Sequence, residues 1–251
     1  MSALEKQKKA LAGLLSAALD TLLPPRCLAT GEIVEADGLV SANVWPQLQF
    51  IEAPFCRLCG LPFSFAVAGD SLCAPCLEYP PVFDAARAPV VYNDISRQMI
   101  LSFKYGDRLH AVKTFAPWMR RAGAELIAAA DILVPVPLSG RRLRERRFNQ
   151  SALLAQEIAR GTGKGYSPDL LLRTRHTPPQ QGLNYKERSL NVRGAFALNE
   201  KRKAALSGMH VLLVDDVYTS GATLNECARV LKKSGSASVS VLTIARVTKD
   251  E

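Results

Sequence analysis

The sequence predicts an α/β protein: a parallel sheet with helices on both faces, preceded by an amphipathic helix and a small cysteine-rich module. Three observations carry this. From about residue 85 onward, short apolar runs alternate with stretches of helical spacing. Five of the six cysteines fall before residue 80, four of them in two Cys-x-x-Cys pairs. One apolar run ends in an acidic pair followed by a small, hydroxyl-rich loop.

The chain has 251 residues, 48% hydrophobic and 22% charged. That composition is ordinary for a globular protein and excludes a disordered or collagen-like chain. No run of about 18 apolar residues occurs, so no membrane span is expected. Lys6, Lys8 and Lys9 precede LAGLL, as at the start of a signal peptide. However, Leu4, Leu11, Leu14, Leu15, Ala18, Leu19, Leu22 and Leu23 share one helical face, and no small-residue cleavage site follows. Residues 1–23 therefore read as an amphipathic helix that docks on the protein or a partner, stopped by Pro24 and Pro25.

Residues 24–80 form the cysteine-rich module. Thirteen residues separate Cys56-x-x-Cys59 from Cys73-x-x-Cys76. Each pair presents two thiolates from one tight turn, which suits tetrahedral Zn²⁺, and Gly60 lets the chain bend after the first pair. With all four positions filled by sulfur, the metal has no open site and its role is structural. Disulfides or redox pairs fit less well. The sequence predicts no secretory leader, and neither pair sits between a strand and a helix. Cys27 stands alone, with Thr30 where a partner would fall. Cys227 joins Leu224, Ala228 and Leu231 in a helical stripe and reads as core.

Residues 85–251 carry the sheet. The apolar runs Pro89–Tyr92, Ile132–Pro137, His210–Val214 and Val239–Val247 read as buried parallel strands. Thr114–Ala130, Ser151–Arg160 and Ala222–Lys233 have helical spacing, with Gly161 and Gly235 as stops. No internal repeat is apparent. In such sheets ligands bind beyond the carboxyl ends of the strands, so chemistry is expected just after each apolar run.

After Val211–Val214 come Asp215 and Asp216, then Thr219, Ser220, Gly221, Ala222 and Thr223. Two adjacent carboxylates need partners, and vicinal ribose hydroxyls with Mg²⁺ and its waters supply them. The hydroxyls, the free N–H groups around Gly221 and the N-terminus of the following helix suit a phosphate monoester. The expected ligand is a ribose 5-phosphate group. After Ile132–Pro137 comes a loop with Ser139, Arg141, Arg142, Arg144, Arg146 and Arg147, a candidate anion site because guanidinium forks match phosphate oxygens. A solvated basic loop or a nucleic-acid patch is the alternative reading of these residues. GTGKG at 161–165 lacks the spacing of a P-loop and reads as a helix-terminating loop. Charge points the same way. Residues 1–80 hold 5 Lys+Arg against 8 Asp+Glu, and residues 81–251 hold 27 against 15, so the larger part favours an anionic partner. Nucleic acid and a polyphosphate metabolite both satisfy this.

The segment VLLVDDVYTSGATL resembles the signature of type I phosphoribosyltransferases. Together with LLPPRC, PFCRLCGLPF, LSFKYGDR, VPVPLSGRRLRERRFNQSALLA and TPPQQGLNYKERSLNVRGAF, it makes the chain similar to the ComF/GntX family of competence proteins. The resemblance implies a type I phosphoribosyltransferase-like sheet with an N-terminal zinc ribbon, a cytoplasmic location and a link to DNA uptake. It implies phosphoribosyl pyrophosphate with Mg²⁺ as ligand, Asp215 and Asp216 as catalytic residues, and pyrophosphate on the arginine loop. It further implies a mobile cover over 173–193 that works through Thr177, Gln180, Gln181, Arg188 and Asn191, and a second-substrate site near Lys104 and Tyr105. Relatives carry more Cys-x-x-Cys pairs upstream. Here Thr30, Val40 and Asn43 stand where the other cysteines would fall, so a second zinc site is not expected. Two functional readings follow: a phosphoribosyltransferase with an unidentified acceptor, or a non-catalytic module that binds single-stranded DNA and competence proteins.

Overall fold

A computed structural model describes residues 24–67, 69–105, 110–178 and 185–248. The helix expected over 1–23, and Gln180 and Gln181, lie outside the described residues. In chain order the elements are α1 (Ala74–Glu78), β1 (Ala85–Arg87), β2 (Val90–Val91), α2 (Asp94–Tyr105), α3 (Ala111–Ala122), α4 (Ala124–Ala129), β3 (Ile132–Pro135), α5 (Gly140–Arg146), α6 (Gln150–Thr162), β4 (Gly165–Tyr166), β5 (Leu171–Arg173), α7 (Tyr185–Val192), β6 (Phe196–Leu198), β7 (His210–Tyr218), α8 (Ala222–Lys233) and β8 (Ser238–Arg246).

The main sheet runs β1–β8–β7–β3–β4, with β2 also on β8, and every pairing is parallel. Strands β5 and β6 form a separate antiparallel ribbon. Successive side chains of a strand face opposite sides. Leu212 and Val214 of β7 therefore join Phe103, Phe115 and Leu154 in one core cluster. Val211 and Leu213 join Leu224 and Leu231 of α8 in the other. Each fully buried aliphatic or aromatic side chain stabilises the fold by roughly 1.5–3 kcal/mol. This two-sided burial explains why the strand sequences are continuously apolar.

Several local expectations change. The helix predicted over Thr114–Ala130 is two helices, broken at Gly123, where a side chain would strike Leu242 of β8. Gly161 lies inside α6 and gives room to Arg120; the helix ends at Gly163 with φ 68°. Strand β7 does not stop at Val214, because β8 keeps pairing with it as far as Tyr218 and Arg246. The arginine-rich segment is not a loop but the helix α5. Ser139 caps it by accepting from the Arg142 N–H, and Arg141 and Glu145 pair at 2.8 Å one turn apart.

The expectation of no internal repeat is also overturned. Residues 25–34 and 54–63 share one hydrogen-bond pattern. The N–H of Cys27 donates to Glu32 O and that of Cys56 to Leu61 O, both at 2.8 Å. Gly31 donates to Cys27 O and Gly60 to Cys56 O, both at 2.9 Å. Val34 donates to Pro25 O and Phe63 to Pro54 O, again at 2.9 Å. Further along, Val44 donates to Ser41 O as Cys76 does to Cys73 O, both at 2.9 Å. The module is thus a doubled ribbon in which Cys27, Thr30, Ser41 and Val44 stand where Cys56, Cys59, Cys73 and Cys76 stand. Ser41 and Val44, not Val40 and Asn43, occupy the places of the lost second pair.

The two lobes straddle the sheet edge. Between them, Phe50 bridges antiparallel to Val90, and Val91 N–H donates to Gln49 O. Cys27, Leu28 and Val44 then pack into the first core cluster, and the four paired cysteines into the second. The lobes dock differently. Gly60, at φ 68°, lies so close to β1 that an added Cβ would be 2.6 Å from Ala86 O, whereas Gly31, at φ 74°, faces open space. Gly31→Ala is expected to lose only the left-handed backbone preference, about 1 kcal/mol. Gly60→Ala should lose about 2 kcal/mol or more, because the lobe must also move off the strand. Denaturant titration of the two variants checks the difference, and equal losses would contradict this docking.

Candidate functional site

At the carboxyl ends of β3 and β7 lies a cleft of about 340 Å³. It brings together Lys104, Arg142, Arg146, Thr177, Asp215, Asp216, Thr219, Gly221, Ala222 and Thr223 from the residues singled out in the sequence. Arg173 and Tyr92 also line it and were not singled out.

Asp215 is held from below by Ser151 at the start of α6, whose hydroxyl donates to Oδ1 at 3.0 Å. Burial pushes the Asp215 carboxyl from 3.8 to about 7, and the Asp216 carboxylate adds to this; the Asp216 N–H, Ser151 and Lys104 oppose it. Asp216 makes an ion pair with Lys104 at 2.6 Å, both side chains being largely buried. Lys104 thus enters the cleft, while Tyr105 is 71% exposed and stacks under Arg146 at 5.1 Å, outside the cleft wall.

Helix α8 begins immediately after Gly221, whose φ is 76°. An added Cβ there would lie 2.8 Å from the Tyr218 ring, so only glycine gives this turn. The start of α8 then aims its unpaired N–H groups and the positive end of its dipole at the cleft. Asn225 N–H closes the first turn onto Gly221 O at 2.8 Å. Ser220 turns its hydroxyl to the Ala222 N–H at 3.4 Å and does not line the cleft.

Helical periodicity sorts the arginine cluster. Arg142 and Arg146, one turn apart, are half-buried and line the cleft; Arg141, Arg144 and Arg147 are exposed and do not. Arg146 is braced by Gln150 at 3.2 Å, which itself donates to Lys104 O. Buried Ser139 serves as the helix cap and contacts His176. Opposite them, Arg173 of β5 donates to the buried Thr177 hydroxyl at 2.5 Å. Burial lowers the Arg173 pKa, and the nearby Arg142 and Arg175 lower it further. Asp215 opposes this, but three guanidinium groups, Arg142, Arg146 and Arg173, line the cleft and make it a candidate site for an anion. A charged residue at an inward position of the LLLR strand was the available signal for Arg173.

Of the cover expected over 173–193, the described residues are 173–178, which begin at the end of β5, and 185–193, which hold α7. Asn191 donates to Pro178 O at 3.1 Å, and Arg175 donates to Asn191 O and Arg193 O, each at 2.9 Å. Glu226 of α8 anchors its far end by accepting from Gly194 N–H at 2.8 Å. Arg188 and Asn191 do not line the cleft.

The sulfurs of Cys56, Cys59, Cys73 and Cys76 are buried and lie within 4.8 Å of one another. A tetrathiolate zinc sets its sulfurs about 3.8 Å apart, and Cys59 and Cys73 are already at 3.5 Å. Burial and neighbouring sulfurs push the Cys73 and Cys76 thiols up, so the cluster calls for a cation if all four are to ionise. These residues fit a structural zinc. Among the described residues this is the one group of three or more Cys, His, Asp or Glu side chains placed to hold a metal. In the other lobe, burial pushes the Cys27 thiol up, but hydrogen bonds from the backbones of Ser41, Thr30 and Ala29 and from the Thr30 side chain outweigh it and bring it to about 7. The N–H groups that receive a metal-bound sulfur are kept there, and the other ligands are gone. Cys227 is fully buried in α8, as its stripe predicts.

Comparison with known proteins agrees with this architecture. The double zinc ribbon domain matches residues 18–77 and the phosphoribosyl transferase domain residues 150–251. The DNA utilization protein YhgH of Salmonella typhimurium is 32% identical over 200 residues, covering 76% of this chain and 83% of that one. Competence protein F of Haemophilus influenzae is 30% identical over 205 residues, covering 80% and 88%. The chain belongs to the ComF family. Competence protein ComFC of Bacillus subtilis, another relative, is 28% identical over 222 residues, covering 85% and 87%. Among solved structures, the glutamine phosphoribosylpyrophosphate amidotransferase of B. subtilis aligns with a TM-score of 0.35 and 21% identity, over 57% of this chain and 30% of that longer one. No helix among the described residues is long and apolar enough to cross a membrane.

Two outcomes are expected. This ComF-family chain should hold one zinc despite its doubled ribbon, and the triple variant Thr30→Cys, Ser41→Cys, Val44→Cys should hold two, by metal analysis of folded, reduced protein. Asp215 sets a pH dependence. Its folded pKa, about 7, exceeds its ordinary 3.8, so its favourable contribution is complete below the latter and is lost as pH rises through about 7. Relative to wild type, Asp215→Asn should therefore gain stability between those two values and change little above, measured by denaturation across that range.

Proposed function

We propose that the cleft binds phosphoribosyl pyrophosphate with Mg²⁺ and transfers the phosphoribosyl group to an acceptor. The observation that carries this is the meeting, in one cleft, of Asp215 and Asp216, the Gly221 turn at the head of α8, and Arg142, Arg146 and Arg173. These are the three chemistries of one ligand. The carboxylates accept from the ribose hydroxyls. The turn receives the 5-phosphate on N–H groups and hydroxyls. The guanidinium groups take up the charge that gathers on the diphosphate as its bond to the ribose C1 breaks. Mg²⁺, entering with the diphosphate and held by Asp215, Asp216 and waters, would supply further neutralisation of the leaving group. Lys104 must release Asp216, or turn toward the phosphates, as the ligand enters. Closure of the segment 173–193, through Thr177, Gln180, Gln181, Arg188 and Asn191, excludes water from the reacting ribose.

Calorimetry with phosphoribosyl pyrophosphate and Mg²⁺ tests the site. Asp215→Asn should weaken binding about tenfold to a hundredfold, as a charge-assisted hydrogen bond is worth roughly 1.5–3 kcal/mol. Arg142→Gln with Arg146→Gln should remove most affinity for the diphosphate, while Arg141→Gln with Arg144→Gln should leave it. Unchanged affinity in the first pair would refute the assignment.

A second reading rests on a different observation. The similar DNA utilization proteins carry DNA in their name, and Arg141, Arg144 and Arg147 are exposed on a basic domain. On this reading the outward arginines hold single-stranded DNA and the family's role in competence follows. Affinity for DNA should fall steeply with salt and vanish when these three are neutralised. Binding that ignores salt would argue against it.

A further inference from the structure

Arg246 joins two features far apart in sequence. It is the last residue of β8 and pairs in register with Tyr218, the last residue of β7. The residue is only 8% exposed. Nη2 donates to Cys59 Sγ at 3.3 Å, and Nη1 donates to the carbonyl of Thr219 at 3.4 Å. Its guanidinium carbon lies 3.6 Å from the centre of the Tyr218 ring, the same ring that a Cβ added at Gly221 would strike at 2.8 Å. Nε is buried without a partner.

A buried cation is costly unless an anion faces it. The partners of Arg246 are a sulfur, a carbonyl and a ring, none of them a carboxylate. Four thiolates around one zinc carry net negative charge, and Cys59 is one of the four. The metal cluster is therefore the counter-charge for Arg246, and a guanidinium fork oriented by it holds the chain at the loop's first residue. Tyr218, stacked beneath it and flanked by Phe83 at 5.8 Å, fixes the space in which Gly221 turns.

We propose that Arg246 is a positioning residue through which the zinc-bound thiolates hold the 219–223 loop in its phosphate-binding shape. This rests on the ribose-phosphate reading of that loop. Coupling of this kind is reciprocal: what the metal cluster does for the ligand, the ligand does for the metal.

The test uses the full-length, zinc-loaded protein and ribose 5-phosphate as probe. Binding is measured by calorimetry, and zinc loss by transfer to a colorimetric chelator with and without the probe. The wild type should bind, and the probe should slow zinc loss several-fold. Arg246→Met should retain its zinc at rest, bind about tenfold more weakly, and lose zinc at a rate the probe no longer changes. Arg246→Lys, which keeps the cation but not the fork, should fall between. Wild-type affinity and a wild-type probe effect in Arg246→Met would overturn the coupling and leave the site reading intact. No binding by the wild type would overturn the site reading and this coupling together. If Arg246→Met does not fold, Arg246→Lys and Tyr218→Leu decide: loss of the probe effect supports the tie, and wild-type behaviour in both overturns it.

Discussion

Strand β7 remains hydrogen-bonded to β8 beyond Val214, through Asp215 opposite Thr243 to Tyr218 opposite Arg246. Much of the site depends on that extension. It carries the two carboxylates on a rigid strand rather than a loop, so Ser151 and Lys104 meet them at fixed distances. It also delivers Tyr218 to the point where Gly221 must turn, and the turn in turn starts α8. Had the ladder ended with the apolar run, the acidic pair and the 219–223 loop would share no frame.

The cleft is assembled at an electrostatic disadvantage. Asp215 is driven toward its protonated form, Asp216 is occupied by Lys104, and Arg173 is crowded by Arg142. Perturbed titratable groups gathered in one cleft mark it as a candidate functional site. The same distribution separates the two faces of α5. Arg142 and Arg146 line the cleft, and Arg141 and Arg144 face solvent.

The doubled ribbon shows two ways to hold one backbone. In the lobe with Cys56, Cys59, Cys73 and Cys76, four sulfurs converge as a metal requires. In the other lobe Thr30, Ser41 and Val44 have replaced the ligands, and Cys27, Leu28 and Val44 are wholly buried in the sheet's core. Apolar burial there takes the place of metal binding. Straddling the edge, the lobes cover β2 and leave the sheet no bare flank on that side.

The sequence by itself determined what depends on local pattern. Period and length gave the strands and helices, Cys-x-x-Cys spacing gave the zinc-ribbon cysteines, and the run from Val211 to Leu224 pointed to the acidic pair and Gly221 turn that meet in the cleft. What it did not contain were contacts made across the chain. Five arginines in seven residues look alike until α5 winds and turns Arg142 and Arg146 inward. Gly123 must be glycine because Leu242 comes beneath it. Ser151 reaches Asp215 across 64 residues, and Arg246 reaches Cys59 across 187. The repeat within the ribbon is faint in the sequence, where only Pro25, Cys27 and Gly31 match Pro54, Cys56 and Gly60, and becomes plain in the shared backbone hydrogen bonds. Tertiary structure alone decided these, since burial, register and the partner of a charge are properties of the packed chain and not of its local order.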